Sequence, residues 1–220
     1  MKNIIFIAPP SAGKGTISAK ICEKYNIPHI STGDLLRDEI AVQSKIGIQV
    51  KEAMSKGELV SDDVIIKLLK KRLSSKDTKR GFILDGYPRN ISQAESYDKL
   101  LEELDLGMGT VIYLDISMEL AMKRALKRIV CPKCGLSYNP LDKELSPITE
   151  SICDSCGSKL IQRSDDNEES FIKRFDTYMK ETYPLIDYYD KRNSLAKIVI
   201  DGKTPSEIFE EVERIIEWLL

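Results

Sequence analysis

The sequence predicts an α/β fold in which a parallel sheet carries helices on both faces. Short runs of consecutive apolar residues, typical of strands buried on both faces, occur at residues 4–7, 82–84 and 111–114, and residues 197–200 form a further strand candidate that begins with Lys197. Apolar residues recur at helical spacing elsewhere, at Val64, Leu68 and Leu69 and at Ile208, Val212, Ile215, Ile216 and Leu219. Strands that alternate with helices in this way indicate a parallel sheet.

The first strand leads into a candidate phosphate-binding loop. Residues 8–16 read APPSAGKGT, and helical spacing follows from Thr16 onward. A strand, a glycine-containing loop and a helix are the context that such a loop requires. Gly13 and Gly15 let backbone N–H groups turn toward phosphate oxygens at the positive end of the helix. Because Lys14 adds a charge for the outer phosphates, the segment predicts a nucleotide site.

Two positions of this loop that are usually glycine hold Ala8 and Ser11. Alanine is compatible with the loop if its φ is negative, and serine adds a hydroxyl donor if its backbone conformation is permitted. We therefore expect the loop to be functional in spite of both residues.

Two segments interrupt the alternation of strands and helices. Residues 31–60 have mostly helical patterning, and residues 127–164 are rich in Cys, Pro, Ser and Gly. We interpret both as insertions into one domain that spans residues 1–220.

The second insertion contains two pairs of cysteines with the spacing C-x-x-C-G. They are Cys131 with Cys134 and Cys153 with Cys156, and 18 residues separate the pairs. Four thiolates at this spacing fit a tetrahedral structural Zn²⁺, and no coordination position remains open for catalysis. For Cys22 we expect a small buried hydrophobic side chain, and for the single histidine, His29, a structural role.

Several motifs, in order along the chain, resemble the adenylate kinase family. They are GKGT at residues 13–16, STGDLLR at 31–37, DGYPR at 85–89 with Gln93, QRSDDNEE at 162–169, Arg174, and DGKTP at 201–205. The sequence is most similar to the long-lid, zinc-containing form. This resemblance implies a P-loop NTPase-type fold with an AMP-binding insertion at 31–60 and a zinc-bearing lid at 127–164. It also implies transfer of the γ-phosphoryl group of Mg-ATP to AMP, which gives two ADP.

The resemblance also implies the residues of each site. The ATP-binding residues are Ser11, Ala12, Gly13, Lys14, Gly15, Thr16, Arg124, Arg128, Ser137, Tyr138 and Thr204. The AMP-binding residues are Thr32, Arg37, Glu58, Leu59, Val60, Gly86, Tyr87, Pro88, Arg89, Gln93, Arg163 and Arg174. Catalytic roles fall to Lys14, Arg89, Arg128, Arg163 and Arg174. Asp85 holds Mg²⁺ through water, and Asp165 and Asp166 hold Arg163 and nearby lid residues.

Basic residues at these motif positions suit phosphoryl transfer independently of the resemblance. The reaction needs positioning and charge neutralisation more than covalent chemistry from the protein. Arginine is suited to this because its planar fork binds phosphate oxygens bidentately.

Composition limits the remaining functions. The 31% of charged and 42% of hydrophobic residues are ordinary for a soluble globular protein, and the net charge of −2 creates no field that attracts nucleic acid or a membrane. No stretch is long and apolar enough for a membrane span, and the chain does not begin like a secretory signal. We expect a cytoplasmic monomer whose partners are the small molecules ATP and AMP, with thiols kept reduced.

Three other functions remain as alternatives. A nucleotide-dependent zinc-ribbon protein that binds nucleic acid would need a basic face, whereas the lid mixes both signs at Lys133, Lys143, Lys159, Asp142, Glu144, Glu150 and Asp154. A nucleotide-driven switch or motor has no use for a second phosphate site. A UMP/CMP-type or other monophosphate kinase is the nearest alternative, but the long lid, Thr32 and Gln93 favour AMP.

Overall fold

A five-stranded parallel sheet forms the centre of the part of the chain that the computed structural model describes, residues 3–55, 60–163 and 166–218. The strands within these described residues are β1 (Ile4–Ile7), β2 (His29–Ser31), β3 (Ile83–Asp85), β4 (Thr110–Asp115), β5 (Ile129–Val130), β6 (Ser137–Tyr138) and β7 (Leu195–Val199). The central sheet has the order β2-β3-β1-β4-β7, and β1 pairs in parallel with β3 and β4. The predicted fold class is confirmed.

Alternate residues of the central strands face two different cores. In β1, Ile4 and Phe6 pack into one apolar cluster, and Ile5 and Ile7 pack into the other. Successive side chains of a strand point to opposite faces, so helices on both faces are needed to cover β1.

Nine α-helices occur within the described ranges. They are α1 (Lys14–Tyr25), α2 (Thr32–Ala41), α3 (Lys45–Ser55), α4 (Asp62–Leu73), α5 (Ile91–Glu103), α6 (Met118–Lys127), α7 (Glu168–Thr177), α8 (Pro184–Asp190) and α9 (Pro205–Trp218). A π-helical turn, Tyr178–Thr182, joins α7 to α8. None of these helices is long and apolar enough to span a bilayer.

Of the strands in the central sheet, β2 is the one that the sequence patterns do not predict. It has only three residues, and just Ile30 among them is apolar. Burial of a single side chain produces no readable run, so the strand is visible only through its pairing with β3. The strand also places Ser31, the first residue of the predicted helical insertion, in the central sheet, and α2 begins at Thr32.

Each predicted insertion has a small apolar cluster of its own. Leu36, Val50, Val60 and Leu68 pack together around the α2–α4 region. In the predicted lid, Tyr138 and Leu160 pack with the cysteines, beside the antiparallel pair of β5 and β6. Leu219, predicted on the apolar face of the last helix, lies outside the described residues.

We expect Ile5→Ala to destabilise the protein by about 2–5 kcal/mol, because truncation of a fully buried branched side chain leaves a cavity in the core. Ile5 is 0% exposed in the central strand. Ile48 on α3 is 68% exposed, and Ile48→Ala should change the free energy of unfolding by less than about 0.5 kcal/mol. Urea unfolding of both variants measures the difference. Equal effects would contradict the placement of β1 at the centre of the sheet.

Candidate active site

The phosphate loop connects β1 to α1. The helix begins at Lys14, and the preceding Gly13 has φ 96° and ψ 11°, a left-handed conformation that glycine adopts without a steric penalty. The predicted Gly15 and Thr16 lie in the first turn of α1. The first N–H groups of a helix have no intrahelical partner and bind anions together with the helix dipole. The loop therefore presents an anion-binding helix end beside β1.

The two residues that replace glycine in the loop differ in conformation. Ala8 does not have a positive φ, and its carbonyl oxygen accepts a hydrogen bond from Lys14 Nζ at 3.3 Å. Ser11 has φ 62°, in the left-handed region that costs a residue with a side chain about 1–2 kcal/mol. No described residue hydrogen-bonds to the buried Ser11 Oγ. The loop thus keeps a glycine-type backbone at Ser11, with strain stored there.

Four of the predicted basic residues converge, and we call Lys14, Arg89, Arg128 and Arg174 the cationic cluster. Burial lowers the pKa of the Lys14 ammonium, and the Asp85 carboxylate opposes this shift. The nearby guanidinium groups of the other three members lower the pKa further. Burial also lowers the pKa of Arg89, and Arg174 adds to that effect. Because such interactions weaken with distance, the cluster is a concentrated positive charge suited to a polyanion.

Asp85 ends β3 beside the cationic cluster. Burial raises the pKa of this carboxyl group, but contact with His29 and the charges of Lys14 and Arg89 outweigh burial and hold the pKa below its ordinary value. His29 Nε2 lies 3.6 Å from Asp85 Oδ2, because β2 and β3 are neighbours in the sheet. Asp85 is therefore an ionised carboxylate, whose oxygens can serve as ligands to a cation. The sequence predicts only a structural role for His29 and gives no sign of this contact.

Hydrogen bonds hold Arg89 on several sides. Arg89 Nε donates to the Gly86 carbonyl oxygen at 2.9 Å, and the Arg89 backbone N–H donates to Gln93 Oε1 at 2.7 Å. The Arg89 carbonyl oxygen accepts from Thr182 Oγ1 at 2.9 Å. Both the guanidinium group and the backbone of Arg89 are therefore positioned. No sequence motif points to Thr182, which lies in the π-helical turn far along the chain.

Other residues predicted to bind AMP lie next to Arg89. Thr32, the first residue of α2, donates its hydroxyl hydrogen to the Gly86 carbonyl oxygen at 3.1 Å. Gly86 has φ 79°, and a Cβ there would lie 3.0 Å from Thr32 Oγ1, so a side chain would be strained and crowded. Tyr87 and Pro88 follow, with Tyr87 buried. The structure therefore brings Thr32 and residues 86–89 together.

Other residues predicted to bind AMP do not lie next to Arg89 in any contact that the structure describes. The exposed guanidinium of Arg37 pairs with Asp34, three residues earlier on α2, so Arg37 contacts its own helix. Val60 is buried in the apolar cluster of the helical insertion. Glu58 and Leu59 lie outside the described residues.

Gln93 is 2% exposed, and both ends of its side-chain amide have protein partners. Oε1 accepts from the Arg89 backbone N–H at 2.7 Å, and Nε2 donates to Asp62 Oδ1 at 2.7 Å. Because the Arg89 N–H donates to the amide oxygen and the Asp62 carboxylate accepts from the amide nitrogen, the two partners define the orientation of the Gln93 amide. Asp62 is absent from the predicted site residues. The available signal was its place in the first turn of α4, two residues after Val60.

The predicted lid residue Arg128 is held by a buried carboxylate. Arg128 Nε donates to Asp166 Oδ2 at 2.8 Å, and Arg128 Nη2 pairs with Asp166 Oδ1, which gives the bidentate geometry of strong pairs. The sequence predicts that Asp165 and Asp166 hold Arg163 and nearby lid residues. In the structure Asp166 pairs with Arg128. Asp165 lies outside the described residues. Arg163 is exposed, and its carbonyl oxygen accepts the Asp166 N–H at 3.2 Å.

The remaining predicted ATP residues have structural partners. In α6, the Arg124 carbonyl oxygen accepts from Asn139 Nδ2 at 2.9 Å, and Ser137 pairs with Val130 in the β5–β6 ladder. The Thr204 N–H donates to Glu207 Oε2 at 2.8 Å, and Thr204 Oγ1 accepts the Glu207 N–H at 3.3 Å, a capping box at the start of α9. The contact of the Thr204 backbone with adenine stays a prediction.

The four lid cysteines form one cluster. Their Sγ atoms all lie within 4.8 Å of one another, with 3.4 Å between Cys131 and Cys156 and 3.5 Å between Cys134 and Cys153. Zn–S bonds of about 2.3 Å in a tetrahedron place sulfur atoms about 3.8 Å apart, so the arrangement is compatible with zinc.

Tyr138, predicted to bind ATP, supports the cysteines with its side chain. Its buried hydroxyl lies 3.5 Å from Cys153 Sγ and accepts the Asp154 N–H at 2.8 Å. This hydroxyl is the largest cause that lowers the pKa of the Cys153 thiol, to about 6. A contact of Tyr138 with ATP would therefore have to come from its backbone.

Comparison with known proteins agrees with this arrangement. The sequence model of the family described as adenylate kinase matches residues 6–194. The adenylate kinase of Clostridium tetani is 43% identical over 215 residues, which are 97% of this chain and 98% of that protein. The adenylate kinase of Caldanaerobacter subterraneus is 46% identical over 214 residues (97% and 95%). That of Thermotoga neapolitana is 42% identical over 220 residues (99% and 98%).

The strain at Ser11 makes a pair of substitutions informative. Ser11→Gly should not lower the free energy of unfolding by more than about 1 kcal/mol. Glycine relieves the left-handed strain, which stabilises the protein, but it also loses more chain entropy on folding, which opposes that gain. Ser11→Val should lower both stability and nucleotide affinity, because a β-branched residue fits this region poorly. Urea unfolding and nucleotide titration measure both. A valine variant as stable as the glycine variant would rule out the left-handed backbone at this position.

Proposed function

The chain belongs to the adenylate kinase family and is therefore a phosphotransferase that moves the γ-phosphoryl group of ATP to AMP, giving ADP. We propose that the cationic cluster is the place where this transfer occurs. The observation that supports this location is the convergence of four positive side chains from separate elements near the start of α1. Two nucleotides bring many negative charges to one place, and such a cluster neutralises them.

We propose that the cluster works by stabilising charge in the transition state. Phosphoryl transfer places negative charge on the moving group and the bridging oxygens. Donors already fixed in a partly buried site stabilise that charge without reorganising during the reaction. The contacts of Arg89 with Gly86, Gln93 and Thr182 and the pairing of Arg128 with Asp166 support this fixed geometry.

We assign the two nucleotides to opposite sides of the cluster. The loop residues Ser11–Thr16 hold the ATP phosphates, together with Arg124, the Ser137–Tyr138 segment and Thr204. Thr32, Arg37, residues 58–60, residues 86–89, Gln93, Arg163 and Arg174 bind AMP. In this assignment Arg37 exchanges its ion pair with Asp34 for the AMP phosphate.

Adenylate kinases use Mg²⁺ with ATP, and we propose that Asp85 holds it through water. A hard cation prefers oxygen ligands and keeps several waters, and Asp85 is an ionised carboxylate beside Lys14. The ion supplies further neutralisation of phosphate charge when it is bound.

We propose that residues 127–164 form a lid with a structural Zn²⁺ on Cys131, Cys134, Cys153 and Cys156. A segment with so small an apolar cluster gains stability from metal binding. The lid carries Arg128 to the cluster, and closure over the nucleotides excludes the water that competes for the phosphoryl group.

Lys14→Met tests the assignment of the cluster. Loss of this charge should reduce kcat on the order of a hundredfold or more while the fold remains, because Lys14 lies in the first turn of α1 and belongs to neither apolar cluster of the central sheet. Diphosphate formation from Mg-ATP with AMP, CMP, UMP and GMP measures the activity, and AMP should be strongly preferred.

Lys20→Met is the matched control for this experiment, since Lys20 lies on the same helix with its Nζ over the Phe209 ring. It should retain the activity of the original protein. Near-normal turnover by the Lys14 variant would refute the assignment, and CMP or UMP turned over as fast as AMP would move the protein to the UMP/CMP branch.

Cys153→Ser tests the metal site. We expect about one zinc per chain in protein purified without chelator and less in the variant. The melting temperature should fall by more than about 5 °C, since each kcal/mol shifts it by about 2–4 °C in a chain of this size. The initial rate at a mild temperature should fall less. Cys22→Ala, on α1 and outside the cluster, should keep its metal; equal metal loss in both variants would contradict the assignment.

A further inference from the structure

We propose that Asp62 determines which base the acceptor site reads, by fixing the orientation of the Gln93 side-chain amide. This inference rests on the proposed role of Gln93 at the base of AMP and extends it to a residue 31 positions earlier in the chain. Asp62 acts through Gln93 and is a positioning residue.

The hydrogen bonds of Gln93 leave one donor and one acceptor unused. A side-chain amide has two N–H donors on nitrogen and two acceptor sites on oxygen. One of the two Nε2–H groups donates to Asp62 Oδ1. One of the two acceptor sites on Oε1 accepts a hydrogen bond from the Arg89 backbone N–H. We infer that the second donor and the second acceptor site are those that lie side by side on one edge of the amide, and that this edge faces the base.

That remaining edge matches adenine and not a 6-oxopurine. Adenine presents the N1 acceptor beside the 6-amino donor, so Nε2–H can donate to N1 while Oε1 accepts from the amino group. Hypoxanthine and guanine present an N1–H donor beside the O6 acceptor, the reverse pattern. They would pair only with an amide turned by 180°.

Asp62 opposes that turn. A turned amide would place Oε1 against the Asp62 carboxylate and Nε2 against the Arg89 N–H, so that both hydrogen bonds are replaced by repulsions. Hydrogen bonds to charged groups contribute more than neutral ones, and an unpaired buried polar group is costly. In the complex that we propose, the base covers the remaining edge of the amide, so water cannot compensate. Asp62 is therefore the stronger of the two constraints on the amide.

The position of Asp62 is not explained by helix stabilisation alone. Acidic residues in the first turn of a helix interact favourably with its dipole, and both Asp62 and Asp63 begin α4. Asp63 is exposed, whereas Asp62 is partly buried and reaches the buried Gln93. This difference makes Asp63→Asn a control that alters the same charge on the same turn.

The experiment compares AMP with inosine monophosphate, which differs from AMP only at position 6 and at N1–H. We expect Asp62→Asn to lower the ratio of kcat/KM for AMP to that for inosine monophosphate by about tenfold or more, the factor that one charge-assisted hydrogen bond supports. An asparagine can turn its own NH₂ toward a turned Gln93. The KM for AMP should rise and the KM for ATP should not, and Asp63→Asn should keep the original ratio.

Calorimetric binding of the two monophosphates gives the same comparison without turnover, and Asp62→Ser repeats it with a smaller side chain. In a Gln93→Leu background, Asp62→Asn should have no further effect on the ratio, because the residue that Asp62 orients is gone. An unchanged ratio in the Asp62 variants, an equal fall in Asp63→Asn, or additive effects with Gln93→Leu would each overturn the inference while the proposed function stands. Failure of the original protein to phosphorylate AMP would overturn both.

Discussion

Mutual repulsion within the cationic cluster is the constraint on which the rest of the site depends. Like charges that are brought together away from water raise the free energy of the folded protein, and the four side chains come from separate parts of the chain. Two carboxylates offset part of this cost: Asp85 lies beside Lys14 and Arg89, and Asp166 binds Arg128. A bound polyanion would offset more, so the charges that disfavour the free protein would favour the nucleotide binding that we propose at this cluster.

A chain of hydrogen bonds joins the residues proposed to recognise the base to Arg89, which is proposed to bind phosphate. It runs from Thr182 to the Arg89 carbonyl oxygen, from the Arg89 N–H to Gln93, and from Gln93 to Asp62. The guanidinium of Arg89 meanwhile donates to Gly86. In the proposed acceptor site, Arg89 offers its side chain to the phosphates and its backbone N–H to Gln93, so a shift of its backbone would disturb both ends of that site.

The predicted lid is stabilised differently from the sheet. Its apolar cluster is small, and the cysteines are part of it. Contacts with the core are polar: Glu144 Oε2 accepts from the Ser206 N–H and hydroxyl at 3.0 and 2.7 Å, and Asn139 donates to the Arg124 carbonyl oxygen. Polar contacts of this kind exchange for water with little change in free energy, which suits the opening and closing that we propose for this segment, whereas an apolar interface would resist opening.

Features that depend on near neighbours could be predicted from the sequence alone. The phosphate loop, the cysteine pairs and the buried strands each occupy a few consecutive residues, so the fold class and the cysteine cluster followed from local patterns, whereas the proposed nucleotide-binding residues rest on the family resemblance. The tertiary structure alone decided which side chains meet across elements. The strand β2 contains one apolar residue, yet its pairing with β3 brings His29 to Asp85, and Asp62 meets Gln93 across 31 positions. Such contacts are set by strand order and helix packing, and these arise from the whole core, so no local stretch of sequence encodes them.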